Sequence, residues 1–346
     1  MNALVISDLH AHDSWPFSRP LPNGLPSRFQ DLLNVCDQVV QILDQGKYTD
    51  LFILGDLLHR RHFVRFSLLN PLYDAIFRMA RRVKKVVMIP GNHDFETHDV
   101  HSLHIFGQLP GVDVVNKPMV TRLSNGEEVF MLPWSNDPHI QVHAVEHAPS
   151  LPFFGHYGAE GCPLETDYWL EAPIKVGELA RFPLTVFGHI HKPGVQLDGK
   201  IQYVGAPMHF DFGDHGDRGV LSVRGHGGGI RVERINLVSP KMITARHPRI
   251  PLPPNPGGGY LRLMEVPPNT LVEAREEALR LGWLDCIPIA KQMPDALRDE
   301  LEAAHLAGAA VDRPMIERYV ARLQLDEKES KAMVEEGVAI LEASRS

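Results

Sequence analysis

Five short apolar runs in this chain each end in a polar cluster of similar make. They are "ISDLHAH" (Asp8, His10), "LGDLLH" (Asp56, His59), "PGNHDF" (Asn92, His93, Asp94), "FFGHYG" (His156) and "FGHIHKP" (His189, His191). A short apolar run stopped by Gly, Asp or His reads as a buried strand whose carboxyl end opens into a turn. In an α/β sheet, residues just past the strand ends face one crevice. Five such ends therefore predict a layered sheet protein in which segments from Asp8 to His191 build a single polar site.

The intervening sequence fits that frame. Strands are expected at Ala3–Ser7, Leu51–Leu54, Val86–Ile89 and Val112–Val115, with helices near Ser27–Gln45, opened by a Ser cap, and near Asn70–Arg82. From Pro118 to about Leu237 this βαβ rhythm gives way to short β-rich stretches such as "EEVFMLP", "IQYVGAP" and "IRVERI". Two sheets packed face to face would account for both halves. The first domain is expected over residues 1–245. Residues 246–256, inside "RHPRIPLPPNPGGGY", are too rich in Pro and Gly for regular structure and read as a linker. A smaller domain follows over 257–346. It has a strand at "YLRLMEV", a helix at "LVEAREEALRLG" ending at Gly282, and charged helical stretches from Asp295 to Ala343 capped at Asp312 and Asp326. Ile316, Tyr319, Val320 and Leu323 fall at helical spacing and are expected to face that domain's own core.

Composition narrows the function. With 44% hydrophobic and 23% charged residues the chain is an ordinary globular one, long enough to need no staples. The 3 cysteines are odd in number and far apart with no Cys-x-x-Cys pair, so neither a disulfide framework nor a zinc knuckle is indicated, and a reducing compartment fits best. The start, "MNALVIS", has no basic region and too short an apolar stretch for a signal peptide or a membrane span, so a cytoplasmic protein with no membrane contact is expected. A net charge of −8 argues against holding nucleic acid by bulk charge alone, although Arg60 and Arg61 make a local basic patch in "GDLLHRRH".

The chemistry lies in the strand-end residues. Asp8 and His10 are two apart, so on an extended chain both side chains leave on one face, and the same holds for His189 and His191. Gly55, Gly91, Gly155 and Gly188 precede these residues or their neighbours, where a missing Cβ lets the chain turn tightly beneath an ion. The donors are Asp, His and Asn without thiolate, which suits Mn²⁺, Fe²⁺ or Zn²⁺ in a working site more than a structural zinc. Asp56, from a middle strand, is the candidate to bridge two ions. Taken singly, each motif also has an ordinary reading as a polar turn, and His12, His62, His98, His101 and His104 read as exposed or hydrogen-bonded. Their joint occurrence, in order and each after a strand, favours a site.

These motifs, D-x-H, GD-x-x, GNHD, H and GH-x-H, resemble those of the calcineurin-like metallophosphoesterases over roughly residues 1–237. The resemblance implies an α/β fold, a β-sandwich of two mixed sheets flanked by helices, with a dinuclear metal centre. It implies that Asp8, His10, Asp56 and His191 hold one ion and Asp56, Asn92, His156 and His189 the other. His93 would protonate the leaving oxygen, oriented by Asp94. Within the family, "GDLLH" resembles the GDLFH of SbcD-type DNA nucleases more than the GD-x-VDRG of phosphoprotein phosphatases, and "YVGAPMHFDFGD" resembles the segment that follows GH-x-H in that branch. This implies a further catalytic role for His59, on the opening turn of a helix, and phosphate contacts for Arg60 and Arg61. It also implies two divalent ions, Mn²⁺ foremost with Mg²⁺, Fe²⁺ or Zn²⁺ open. DNA would be the substrate, in a repair or recombination complex with an SMC-like ATPase of the SbcC type, with a homodimer possible and a C-terminal α/β capping domain. A phosphoesterase acting on small-molecule or nucleotide substrates with the same centre remains the alternative.

Overall fold

The computed structural model describes residues 1–15, 17–162, 172–226, 229–246, 255, 257–267, 270–290, 313–322, 330–331, 334–335 and 338. The chain divides into two compact units, Met1–Met242 and Ile243–Ser346.

In the first unit, β1 (Asn2–Ile6), β2 (Asp50–Leu54), β3 (Lys85–Ile89) and β4 (Val112–Val114) run parallel. The sheet is extended by β11 (Gly219–His226), antiparallel to β1, and β12 (Gly229–Asn236), giving the order β12-β11-β1-β2-β3-β4. A second sheet has the order β5-β6-β7-β8-β10-β9, from β5 (Met119–Arg122), β6 (Glu128–Leu132), β7 (Phe153–His156), β8 (Thr185–Gly188), β9 (Gly194–Gln196) and β10 (Ile201–Tyr203). In it β6, β7, β8 and β10 are parallel and the edge strands antiparallel. Both sheets are mixed, as expected.

The central strands are apolar on both faces because each face is covered. Ala3, Val5, Phe52, Leu54, Val87 and Ile89 point from the first sheet at Val129, Met131, Phe154 and Val186 of the second. Phe52 and Phe154 stack across this layer at 4.2 Å and 7°. The alternate residues Leu4, Ile6, Leu51, Ile53, Val86 and Met88 pack on α1 (Ser27–Gly46) and α2 (Phe66–Ala80). On the far side, Phe130, Leu132, Phe153 and Phe187 pack on α3 (Pro138–His147) and α4 (Val176–Leu179). The result is a helix–sheet–sheet–helix sandwich. Parallel strand direction puts the carboxyl ends of β1, β2 and β3 at one edge of the first sheet, and those of β7 and β8 at one edge of the second.

Three local expectations are corrected. Ser27 is the first residue of α1 rather than its cap; the cap position is Pro26, and the Ser27 hydroxyl accepts instead from the Arg19 amide at 3.1 Å. Helix α2 begins at Phe66, a turn before Asn70, and carries Pro71 inside it. The β-rich stretch contains α3, whose signal was legible: Asp137 accepts from the His139 amide at 2.9 Å, with proline at the first helical position.

In the second unit, β13 (Met242–Arg246), β14 (Tyr260–Val266) and β15 (Asp285–Ala290) form a sheet in the order β13-β14-β15. Helix α5 (Leu271–Arg280) links the parallel pair β14 and β15 and ends before Gly282, whose φ of +87° is the left-handed stop that glycine adopts freely. Leu261, Leu263, Ala274, Ala278 and Trp283 form its core. Helix α6 (Arg313–Arg322) carries a buried Val320. Most of the 246–256 segment, the stretch 291–312 with Asp312, Asp326, Leu323 and the Tyr319 side chain lie outside the described residues. Among the described residues no helix is long and apolar enough to cross a membrane.

Candidate metal centre

The five strand ends meet. Asp8, His10, Asp56, Asp94 and His156 are buried, while His59, Asn92, His93, His189 and His191 are half-buried and form the rim. Asp8, His10, Asp56 and His189 all sit in the left-handed region, with φ of +56°, +46°, +51° and +81°. Four non-glycine residues held in that sparsely populated conformation at one place mark a surrounding structure that over-determines them. The glycines permit the close approach. A Cβ on Gly55 would lie 2.3 Å from His156 Nδ1, one on Gly91 2.2 Å from Asp56 Oδ1, and one on Gly188 2.0 Å from Ser7 Oγ.

Two donor groups share one carboxylate. His10 Nε2 and His191 Nε2 lie 2.9 Å apart, with Asp8 Oδ1 at 4.0 Å from each. On the other side, Asn92 Oδ1 lies 3.1 Å from His156 Nε2 and 3.0 Å from His189 Nδ1. Between them, Asp56 Oδ2 is 3.4 Å from both His10 Nε2 and His156 Nε2. The main chain fixes these rings. His156 Nδ1–H donates to the Leu54 carbonyl at 2.6 Å, which leaves Nε2 free as a donor atom, as outer partners of metal-binding histidines do. The His189 amide donates to both Asp8 oxygens at 3.1 Å.

The electrostatics of these side chains follow from burial and crowding. Burial pushes the Asp8 carboxyl above the usual range and holds His10 well below the usual imidazole range. Burial likewise lowers His189 to about 3. Burial opposes ionisation of both Asp56 and His156, but their mutual attraction wins, so Asp56 lies far below the usual carboxylate range and His156 rises to about 9. Crowded imidazole nitrogens and carboxylates that repel one another when alone, with neutral rings at His10 and His189, fit a pair of divalent cations.

A titration result follows. Below about 9 the proton on His156 competes with a bound ion. Metal binding is therefore expected to release a proton and to strengthen by about tenfold per pH unit between about pH 6 and 8. Calorimetry in buffers of different ionisation enthalpy measures this, and a pH-independent affinity would remove His156 from the ligand set.

Other residues stand differently from their expected places. His59 is not on a helix: it lies in a bent loop, with Leu58 bridging Ala11, and α2 starts only at Phe66. Its Nδ1 lies 3.3 Å from His10 Nδ1, and its ring stacks on His93 at 5.0 Å and 19°. Asp94 does not orient His93. Its buried carboxylate, raised to about 6 by burial and by Asp56, accepts from the amides of Gly91 (2.9 Å), Leu57 (3.1 Å) and Leu58 (3.2 Å), tying the second loop to the third. The His93 ring is held instead by the His59 carbonyl, at 2.7 Å from Nδ1. Arg60 and Arg61 are exposed at the rim, Arg60 donating to Ser14 Oγ at 2.9 Å.

Several supporting residues were given no role in the sequence reading. His12 is buried and stacks between Trp15 (4.1 Å) and His59 (4.3 Å), extending the His59–His93 stack into a column of four rings. Trp134 lies 5.0 Å from His189, and Phe210 lies edge-on to His10 and His191. Arg218, buried and paired with Asp214 at 3.0 Å, donates to the His191 carbonyl.

Residues 1–193 match the sequence model of the calcineurin-like phosphoesterases. The chain belongs to this family. Calcineurin-like phosphoesterases are dinuclear metal-dependent hydrolases, and the Asp8/His10/His191 and Asp56/His156/His189 groups are this chain's candidate sites. Similar solved structures include a Pseudomonas putida nuclease, MPE, at 20% identity over 58% of this chain and 66% of that one, with a TM-score of 0.27. Another is the Escherichia coli phosphoesterase YfcE, at 18% identity over 60% and 80%, TM-score 0.29. A third is a dimetal phosphatase from Danio rerio, at 11% identity over 69% and 97%, TM-score 0.40. The chain thus spans slightly less than two thirds of the length of the first of these.

Proposed function

We propose that this phosphoesterase is a DNA phosphodiesterase, an SbcD-like nuclease subunit of a repair or recombination complex. The observation that carries the reading is the second imidazole: His59, the residue that makes the second motif resemble the DNA-nuclease branch, stands beside His93 at the rim. In this reading Asp8, His10, Asp56 and His191 hold one ion and Asp56, Asn92, His156 and His189 the other. When bound, two divalent ions neutralise the non-bridging oxygens of a phosphodiester and acidify a water molecule. The chain's own residues do the rest. His93, its Nδ1–H held by the His59 carbonyl, presents Nε2 to the leaving oxygen and gives it a proton, and His59 assists from the adjacent ring plane. Arg60 and Arg61 meet the flanking phosphates.

A net charge of −8 supports a partner that supplies affinity for DNA, and an SMC-like ATPase is proposed for that place, in the cytoplasm, with the 257–346 unit as the capping element. Mn²⁺ is the proposed ion. The test sets plasmid and hairpin DNA against bis-p-nitrophenyl phosphate and p-nitrophenyl phosphate, with Mn²⁺ and with Mg²⁺. Cleavage of DNA and of the diester is expected. Hydrolysis of the monoester alone, with intact DNA, would favour a small-molecule phosphoesterase.

A further inference from the structure

Helix α3 places a histidine at every fourth residue, His139, His143 and His147, in the sequence "PHIQVHAVEH". All three are exposed, and none belongs to the centre described above. Residues three and four apart share a helix face, and at the carboxyl end of α3 that face carries three donors. The rings of His143 and His147 lie 4.1 Å apart at 34°. One nitrogen of each, together with a carboxylate oxygen of Glu146, falls within 4.8 Å of the others.

Two further contacts bear on a ligand. The His143 carbonyl lies 2.9 Å from His147 Nδ1. A carbonyl can only accept, so Nδ1 carries the hydrogen and the lone pair of the neutral ring is left on Nε2, the tautomer a metal-binding histidine needs. The Arg181 guanidinium meanwhile donates to the carbonyls of Val145 and of Ala148, the latter at 2.7 Å. The helix terminus is therefore capped without Glu146 or the free nitrogen of His147. The partial negative charge of a helix carboxyl end also favours a cation there.

We propose that His143, Glu146 and His147 form a further metal site, separate from the dinuclear centre, for a borderline transition ion of the Zn²⁺ class. Two imidazoles and a carboxylate are a donor set that such ions take, and a pair of histidines four residues apart on one helix face recurs as a zinc-binding pair. Mg²⁺ and Ca²⁺ prefer oxygen alone and are not expected to bind. Three donors on an exposed face leave the remaining coordination positions to water.

The test is equilibrium dialysis of the full chain against micromolar free Zn²⁺, with bound zinc counted by mass spectrometry and diester hydrolysis followed in parallel. The His143→Ala/His147→Ala variant, whose alanines favour the helix, is expected to hold one zinc ion fewer per chain at unchanged hydrolysis. Glu146→Gln is expected to weaken that ion by more than about tenfold, since a lost ligand costs more than a lost outer partner of one. Equal zinc contents in the wild type and the double variant would overturn the proposal. The same comparison in an Asp56→Asn background separates the two sites: the one-ion difference should persist there. If it vanishes, the lost ion belonged to the dinuclear centre and no further site exists.

Discussion

Asp56→Asn is expected to give a folded chain that has lost diester hydrolysis and binds metal more than about 100-fold more weakly, a larger loss than removing an outer partner of a ligand causes. The substitution isolates charge from shape. Asparagine keeps the side-chain volume and tolerates the left-handed backbone that Asp56 adopts at φ +51°. It still offers an oxygen to the His93 amide, which now donates to Oδ1 at 2.8 Å. What disappears is the anion that stands 3.4 Å from one imidazole of each donor group. With it goes the attraction that raises His156 to about 9. Proton release on metal binding should therefore shrink in the variant along with affinity. Metal analysis, circular dichroism and turnover on bis-p-nitrophenyl phosphate check the three parts. A fully loaded and active Asp56→Asn protein would show that no bridge exists at this position.

The residues that converge were legible because strand ends are written locally. An apolar run, a glycine and a donor are contiguous, and parallel strands bring such points to one edge whatever lies between them. The site's supports are not contiguous. Arg218, just before β11 of the first sheet, holds the carbonyl of His191, which follows β8 of the second, and its only local sign is a charged turn. The Trp15–His12–His59–His93 column joins residues from three loops, so His12 read as an ordinary polar histidine. His59 was expected on the opening turn of a helix, three residues past Asp56. The chain instead pairs Leu58 with Ala11 and delays α2 to Phe66, which keeps the imidazole in the centre. The family resemblance implied that Asp94 orients His93, yet adjacent side chains on a turn diverge, and its carboxylate is consumed by three backbone amides.

His93→Ala and His59→Ala are expected to lose about 10²–10⁴-fold of their rate on DNA while keeping near-normal metal content, since that is the usual worth of a positioned acid. The geometry makes this a real choice between two roles. Nitrogens of His10, His59 and His93 lie within 4.8 Å of one another, close enough to share an ion. Against that, His93 Nδ1 is already committed to the His59 carbonyl at 2.7 Å, and the His59 and His93 rings lie nearly parallel at 19°, a stacking arrangement rather than a convergent one. Both rings are half-buried at the rim, where a leaving group must pass, whereas His10 is buried. An acid matters in proportion to how badly the leaving group needs a proton. The loss should accordingly be much smaller on bis-p-nitrophenyl phosphate, whose p-nitrophenolate departs unprotonated, than on DNA, whose alkoxide does not. His59→Ala also removes one layer of the ring column, so His59→Phe, which keeps an aromatic ring in that stack but has no proton to give, is the matching control and should lose as much of the rate on DNA. Should His93→Ala or His59→Ala come out depleted of metal, or be equally impaired on both esters, the imidazole is a ligand or a fold element and does not serve the leaving oxygen.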